Sequence, residues 1–297
     1  MSPRSGRKLM RLAKPEAAGG RGDRGVSFVR HPSLSGVEIR VVRDRGTRSA
    51  PTPPMITSDL KLGMVVRGAN RFRYRGSSWI VPGHTLILAE PGELHAVESV
   101  DGAFDVLVLF VDMDTVSALQ RGEASALKRG LSFKGPLTRD RASLRAFRAL
   151  ASALAEPTSA SLLVEERVLS VVDAISRAYV ARVPVEARSA DYEAIRRARE
   201  MLHDAYLERV TLDALAAESG LPKGRFLRSF RRLVGISPHA YQVHLRVDHA
   251  RRLLAGAGDI ADAASSAGFF DQSHFHRHFK RLHGVTPARY RGAARAP

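Results

Sequence analysis

The sequence of 297 residues contains no cysteine, which excludes disulfides and cysteine-ligated metal sites. It also lacks any apolar run near the roughly 20 residues that a membrane-spanning helix needs. The basic start of the chain is not followed by the apolar core of a secretion signal. These absences predict a protein that works in the reducing cytoplasm and has no membrane partner.

Acidic residues are scarce relative to basic ones, and the formal net charge is +17. The excess lies at the two ends: residues 1–30 carry 8 Lys or Arg against 2 acids, and residues 191–297 carry 18 against 11. This much basic surface favours a polyanionic partner, and nucleic acid before membrane, because no basic helix has an aromatic-rich face. The length suits about two domains.

Residues 1–25 are rich in Gly, Arg and Pro and lack hydrophobic periodicity, which predicts a disordered basic arm. The pattern over residues 26–182 predicts an α+β domain that begins with many short strands, as in a small barrel or sandwich. We expect strands over residues 26–29, 37–42, 62–66, 71–74, 79–81, 85–88, 95–98 and 104–111. Helical periodicity follows over 140–155 and 161–182, and these helices would cover the core or form a dimer interface.

Residues 183–190 are polar and contain proline, which predicts a linker, and residues 191–297 are helical throughout in pattern. Asp191 is expected to cap a helix over residues 192–206. The rest of this segment repeats one unit twice, with an offset of 48 residues at the first glycine and 49 from the aromatics onward. The second copy therefore has one extra residue in its turn. The matching residues are Gly220, Phe226, Phe230, Gly235, Pro238 and Tyr241, repeated as Gly268, Phe275, Phe279, Gly284, Pro287 and Tyr290.

Each copy places a short apolar-periodic segment and a glycine before a basic helix, an order that predicts a helix-turn-helix unit. The basic helices, 223–233 and 272–282, are expected to enter the DNA major groove. The first unit is expected to begin at Thr211 and Asp213, and Asp271 is expected to cap the second basic helix. Residues 238–255 predict one connecting helix of about 27 Å. That length can hold the basic helices near the roughly 34 Å spacing of successive major grooves.

The two phenylalanines of each basic helix are four residues apart and face the core together, so the remaining positions are candidates for DNA contact. Arg228 is the best base-edge candidate in the first copy, because a guanidinium can bond guanine in a bidentate manner. The candidates are Lys223, Gly224, Leu227, Arg228 and Arg231 in the first copy, and Gln272, Ser273, His274, His276, Arg277 and, for phosphates, Lys280 in the second.

The string GFFDQSHFHRHFKRLHGVTPARYR is similar to the signature of the AraC/XylS family of bacterial transcription regulators, and residues 191–297 resemble its DNA-binding domain. The resemblance implies that Arg228 and Arg277 occupy the recognition-helix arginine positions. It also implies that five residues neighbour the bases: Gly224, Arg225, Leu227, His274 and His276. Pro222 stands where the family often has a serine N-cap, so the first recognition helix is expected to be held less firmly.

Residues 74–97 resemble, more loosely, the cupin-like effector and dimerisation domain of such regulators. This implies an N-terminal cupin-like β-barrel with flanking helices, followed by an all-α domain of two helix-turn-helix units joined by a long helix. The implied partners are double-stranded operator DNA, RNA polymerase, a small-molecule effector and a second copy of the chain. Depending on strand register, the expected effector pocket is lined by Phe72, Tyr74, Trp79, Leu86, Leu88 and His95.

No cofactor and no metal are expected. His95 lacks the further ligands of a metal cupin, and His274 and His278 share a helix face without a third ligand. No nucleophile elbow or acid–base pair is visible, so we do not expect an enzyme. Two alternatives stay open: a cupin enzyme fused to a DNA-binding domain, and a constitutive DNA-binding regulator without an effector. Activation and repression are both compatible with this architecture.

Overall fold

The computed structural model describes residues 24–31, 34–45, 54–75, 77–99, 102–119, 131–156, 158–182, 190–256 and 258–295. The expected basic arm lies outside these residues, except that Arg24 and Gly25 belong to the first strand. The expected linker also lies outside them, apart from Ala190, which begins a helix. Among the described helices, none is long and apolar enough to cross a membrane.

The N-terminal domain contains the expected strands, each within a residue or a few of its predicted bounds, so this part of the prediction is confirmed. Alternating apolar side chains separated by turn residues produce this pattern of short strands. The strands are β1 (Arg24–His31), β2 (Leu34–Asp44), β3 (Leu60–Arg67), β4 (Ala69–Tyr74), β5 (Ser77–Pro82), β6 (Leu86–Ala89), β7 (His95–Ser99), β8 (Phe104–Val111), β9 (Leu131–Phe133), β10 (Leu137–Thr138) and β11 (Val180–Arg182).

The strands form a six-stranded antiparallel sheet in the order β1-β2-β8-β3-β6-β10 and a three-stranded sheet in the order β5-β4-β7. Side chains from both sheets meet in one apolar cluster, which includes Val65 and Val106 from the large sheet and Phe72 from the small one. The two sheets therefore enclose a barrel-like interior. Leu62 and Leu109, which are paired across β3 and β8, point to the opposite face of the large sheet.

That outer face is covered by helices, as expected of a sheet whose two faces are both apolar. The helices are α1 (Met113–Leu119), α2 (Arg141–Leu154) and α3 (Ser161–Tyr179). Asp140 caps α2 by accepting a hydrogen bond of 2.7 Å from the Ser143 amide. The prediction of one helix over 161–182 is wrong at its end, because Val180–Arg182 pair with β9 as strand β11.

The C-terminal domain is helical and contains both repeated units in the predicted order. Its helices are α4 (Ala190–Asp204), α5 (Leu212–Ser219), α6 (Lys223–Val234), α7 (Pro238–Ala255), α8 (Ile260–Ser266), α9 (Gln272–His283) and α10 (Pro287–Arg295). The first unit is built on α5 and α6, and the second on α8 and α9. Helix α7 connects them and contributes Tyr241 and Leu245 to the first apolar cluster and Val247 and Ala250 to the second.

The two domains meet along a polar stripe of α7. The stripe contacts the segment that precedes β3: the Ile56 amide donates to His244 Nδ1 at 3.2 Å, and the Ser58 amide donates to Asp248 Oδ2 at 3.0 Å. Arg251 forms buried ion pairs with Asp248 and with Asp59. These spacings of three and four residues place one row of side chains on a single helix face, which is buried against the N-terminal domain.

A second contact joins the last helical unit to β1 and β2. The Tyr290 hydroxyl donates to Glu38 at 2.6 Å, and the Arg30 guanidinium lies over the Tyr290 ring at 4.3 Å. Burial opposes ionisation of Glu38, but Arg40 and Arg30 hold the pKa of its carboxyl well below the usual range. The connecting helix α7 and the last helix α10 are thus both held against the N-terminal domain.

Candidate functional site

The turns of the two units depend on glycine. Gly220 follows α5 with a φ of +68°, and Gly268 precedes α9 with a φ of +74°. This left-handed conformation is open to glycine at little cost and reverses the chain between the two helices of each unit. The paired rings, Phe226 with Phe230 and Phe275 with Phe279, are fully buried, so each recognition helix turns its other faces outward.

The starts of the helices differ between the units. The predicted caps are confirmed: Thr211 Oγ1 accepts from the Ala214 amide at 3.1 Å, and Asp271 Oδ1 accepts from the His274 amide at 2.7 Å. At the start of α6, Pro222 makes no side-chain cap bond. The first recognition helix therefore lacks the side-chain N-cap that the second one has.

Asp191 does not cap a helix, and the prediction that it does is wrong. It lies in the first turn of α4, where its carboxylate accepts from Ser229 at 2.7 Å, Arg225 at 2.8 Å and Arg232 at 2.9 Å. These bonds, led by the one from Ser229, lower the pKa of Asp191. A helix-capping residue and a residue that bonds across to a second helix look alike in sequence, and only the packing of α4 on α6 distinguishes them.

Most of the candidate DNA contacts are exposed. On α6 the exposed candidates are Lys223, Gly224, Arg225, Arg228 and Arg231, and on α9 they are Gln272, Ser273, Arg277 and Lys280. Three candidates are half-buried: Leu227, His274 and His276. Lys223 is paired with Asp213 and Arg225 with Asp191. Arg228, Arg231, Arg277 and Lys280 make no ion pair with any described residue, so their charge is available to a polyanion.

His274 is not freely available for contact with DNA, because its Nε2 lies 2.9 Å from Nε2 of His278. Burial, followed by the neighbouring His274, lowers the pKa of His278 to about 4. His278 is therefore uncharged at neutral pH. Within the described part of the chain, no three His, Cys, Asp or Glu side chains come close enough to hold a metal ion.

Phe270 was missed by the sequence reasoning. It lies in the turn before α9, and its side chain is fully exposed. In the first unit one residue, Pro222, follows the residue matching Phe269 before the helix begins, whereas two residues, Phe270 and Asp271, do so here. The signal was the single extra residue in the second turn, which is an apolar aromatic placed beside a polar recognition helix.

The six residues expected to line an effector pocket do not share one space. Phe72 and Tyr74 point into the barrel interior, with Trp79 half-buried beside them. Leu86 and Leu88 point the other way and pack with α2 and α3, while Ile87 and Ala89 of the same strand face the interior. A shift of one residue reverses the face of a strand side chain, and the spacing alone did not specify the register.

His95 is fully buried, lies near the Phe72 ring and pairs with Met55 in the segment before β3. Its Nε2 is 2.6 Å from Lys61 Nζ, and its Nδ1 is 3.1 Å from the Glu93 carbonyl oxygen. Burial, together with Arg40, lowers the pKa of Lys61 to about 7, and burial and Lys61 hold the pKa of His95 well below its usual value. The neutral imidazole therefore donates from Nδ1 to Glu93 and accepts from Lys61 at Nε2.

Asn70 is the unusual polar group of the interior. It is fully buried on the same face of β4 as Phe72 and Tyr74, and neither its amide nitrogen nor its amide oxygen has a hydrogen-bond partner among the described residues. A buried amide without partners costs about 1–3 kcal/mol. Such a group is therefore available to a molecule that supplies both a donor and an acceptor.

Two helix-turn-helix units on one connecting helix, joined to a separate barrel-like domain, define a DNA-binding regulator. Comparisons with known proteins agree: residues 215–293 match the model of a helix-turn-helix domain, and residues 38–172 match that of the AraC-like ligand binding domain. The chain belongs to the AraC/XylS family of transcriptional regulators.

Individual relatives cover different parts of the chain. HTH-type transcriptional regulator YbfI of Bacillus subtilis is 27% identical over 219 residues, 72% of this chain and 77% of YbfI. The virulence regulon transcriptional activator VirF of Yersinia enterocolitica is 34% identical over 96 residues, 32% of this chain and 35% of VirF. A crystal structure of ToxT from Vibrio cholerae with a bound unsaturated fatty acid covers 86% of this chain and 94% of ToxT, with a TM-score of 0.55 and 14% identity. The similarity to ToxT concerns the fold.

Proposed function

We propose that the protein binds an operator through both recognition helices and that a small organic effector in the barrel of the N-terminal domain changes this binding. The observation that carries the first part is a set of exposed cations that pair with no acid among the described residues: Arg228 and Arg231 on α6 and Arg277 and Lys280 on α9. Unpaired guanidinium and ammonium groups on such helices contact base edges and phosphates.

Arg277 and Lys280 have different roles in this proposal. Arg277, in the first half of α9, contacts a base edge, and Lys280, one turn later, contacts a phosphate. On an operator obtained by selection from random duplexes, Arg277→Ala should cost about 1–3 kcal/mol and relax the preference at one base pair. Lys280→Ala should weaken binding to all sequences alike and reduce the salt dependence by about one charge.

Gel-shift titrations of both variants against the selected operator and its single-base-pair substitutions distinguish the two roles. Circular dichroism provides the control for folding. An Arg277→Ala protein that keeps the preference of the native protein at every position would refute the base contact. Phe270 is a further candidate for contact, since an exposed aromatic beside the recognition helix fits a thymine methyl group.

The effector site we propose is the barrel interior around Asn70, Phe72 and Tyr74. The amide of Asn70 has no hydrogen-bond partner among the described residues and lies among apolar and aromatic side chains, which supports a neutral polar anchor for an apolar ligand. The fatty acid bound to ToxT, a protein of similar fold, supports an organic effector with an apolar body. An effector must favour one state of the chain over another, because equal affinity for both changes nothing.

A thermal-shift screen of the full chain with small organic metabolites tests this site. A ligand that binds the native state should raise the melting temperature by mass action and change operator affinity. Asn70→Leu is the matched variant: it should stabilise the ligand-free protein by about 1–2 kcal/mol and lose the response to the ligand. A ligand that still shifts Asn70→Leu as much as the native protein binds elsewhere, and a screen without any hit favours a constitutive DNA-binding regulator.

We further propose that the chain acts as an activator, as a homodimer that contacts RNA polymerase. The name of the relative VirF supports activation. On helix α3, Leu162 is 75% exposed, and burial of this apolar residue by a second copy would be favourable. Analytical ultracentrifugation of the native protein and Leu162→Glu tests the dimer, and a reporter gene with the selected operator tests activation.

A further inference from the structure

The guanidinium of Arg246, on the connecting helix α7, bonds to the backbone of the loop before the first helix-turn-helix unit and to the turn of the second unit. Its Nε donates to the Tyr206 carbonyl at 2.8 Å, and its Nη2 donates to the carbonyls of Leu207 at 3.2 Å and Glu208 at 3.0 Å. Its Nη1 donates to the Gly268 carbonyl at 2.8 Å. The first three acceptors form the loop that leads into the first unit, and Gly268 is the turn of the second unit.

These contacts join two parts that otherwise pack on α7 in separate apolar clusters. The acceptors are main-chain carbonyls, so these bonds break only if the backbone moves or Arg246 itself changes rotamer. Gln242, one turn earlier on α7, donates to the same loop at Tyr206 (3.1 Å) and Glu208 (2.9 Å). The loop is therefore held from two positions of α7, and Arg246 alone of this pair extends the contact to the turn of the second unit.

Gly268 contributes to the fit. A Cβ atom at this position would lie 3.2 Å from the Arg246 guanidinium carbon, so the glycine allows the guanidinium to lie against the turn. Arg246 has no carboxylate partner among the described residues, and its donors go to carbonyl oxygens only. A planar group with five donors in a fixed arrangement suits this task, whereas the ammonium of lysine does not.

We infer that Arg246 is a positioning residue for operator recognition: it holds the two recognition helices at one separation and rotation, and so sets the spacing of the two DNA segments that the protein accepts. The inference rests on the proposed DNA contact by both helices. One inserted base pair rotates one DNA segment relative to the other by about 35° and moves it along the helix axis by about 3.4 Å. A rigid pair of units should reject such a change, and a loosened pair should tolerate it.

The test compares the full-length native protein with Arg246→Met, Arg246→Lys and, as the matched control, Arg252→Met, an exposed arginine on the same helix. Binding is measured by fluorescence anisotropy on the selected operator, on versions with one base pair inserted or deleted between the two contacted segments, and on a duplex that keeps one segment alone. Circular dichroism and thermal unfolding accompany each measurement.

We expect the native protein and Arg252→Met to lose about tenfold or more in affinity on the altered spacings. Arg246→Met should bind the original operator about tenfold more weakly, discriminate less than about threefold between spacings, and bind the single segment as the native protein does. Arg246→Lys should behave like Arg246→Met, because it keeps the charge without the guanidinium geometry.

Three results would overturn the inference: retained spacing discrimination in Arg246→Met, native behaviour of Arg246→Lys, or an equal loss on the single segment and the full operator. The second would indicate a charge contact, and the third a loss of folding or of direct contact with DNA. If Arg246→Met does not fold, the Arg246→Lys comparison decides the question. A native protein that selects no duplex sequence at all would instead refute the proposed contacts with DNA.

Discussion

Arg251 joins helix α7 to the N-terminal domain, and its substitution should lower the free energy of unfolding. Its side chain is 5% exposed and pairs with Asp59 and, at 2.9 Å, with Asp248. Arg251→Met keeps most of the volume and removes the cation, leaving two buried carboxylates without it. Breaking a buried ion pair by removing one partner costs about 3–5 kcal/mol, and since two carboxylates depend on Arg251 we expect about 4–5 kcal/mol at neutral pH.

The loss should depend on pH in a defined direction. Burial raises the pKa of Asp59 to about 6, with Asp248 adding to the increase and Arg251 opposing it. Without Arg251 this folded-state pKa rises further above that of the unfolded chain. A carboxyl with a raised folded-state pKa destabilises the folded state when it is ionised and not when it is protonated. The loss in free energy of unfolding caused by Arg251→Met is therefore complete above that pKa and decreases as the pH falls. The destabilisation of Arg251→Met should therefore be largest near pH 7.5 and smaller at pH 5.

Urea unfolding at the two pH values measures this. Fluorescence of Trp79, the single tryptophan, reports on the N-terminal domain, and circular dichroism reports mainly on the helices. Arg252→Met is the control at an exposed position, and Asp59→Asn completes a double-mutant cycle with Arg251→Met, in which we expect a coupling of about 2–3 kcal/mol. A loss within 1 kcal/mol of that in Arg252→Met, or a loss that grows toward pH 5, would refute the reasoning.

Two further predictions concern single groups. The folded-state pKa of Lys61 is about 7, against 10.5 for the unfolded chain. Because the unfolded chain binds more protons between these values, the free energy of unfolding should rise on the order of 3–5 kcal/mol from pH 7 to pH 10. Urea unfolding of Lys61→Met should show a flatter rise. Asp271→Ala removes the N-cap of α9 and should lower the free energy of unfolding by about 1 kcal/mol, measured by thermal circular dichroism, whereas Pro222→Ala, which removes no cap bond, should cost less.

The helix-turn-helix units could be predicted from sequence because their determinants are local. Glycines at the turns, phenylalanine pairs four residues apart and the caps Thr211 and Asp271 specify each unit within about 30 residues. The repeat then makes each copy evidence for the other. The strands of the N-terminal domain were predictable for the same reason, since alternation of apolar residues and turn residues between them act over a few positions.

Properties that depend on partners distant in sequence could not be predicted in this way. The register of β6, which turns Ile87 rather than Leu86 into the barrel, depends on its pairing with β3. The role of Asp191 depends on α6, which lies more than 30 residues away. In both cases the local pattern fits two arrangements equally well.

By itself, the sequence determined the two helix-turn-helix units, the basic recognition helices and the β-rich N-terminal domain. Only the tertiary structure decided how they are joined. His244, Asp248 and Arg251 have the spacing and polarity of a solvated helix face, yet they are buried against the segment before β3. Arg246 likewise has the character of a surface arginine until its carbonyl acceptors come together. Whether a polar side chain is buried or exposed depends on its hydrogen-bond and ion-pair partners, and here those partners come from elements that lie far apart along the chain.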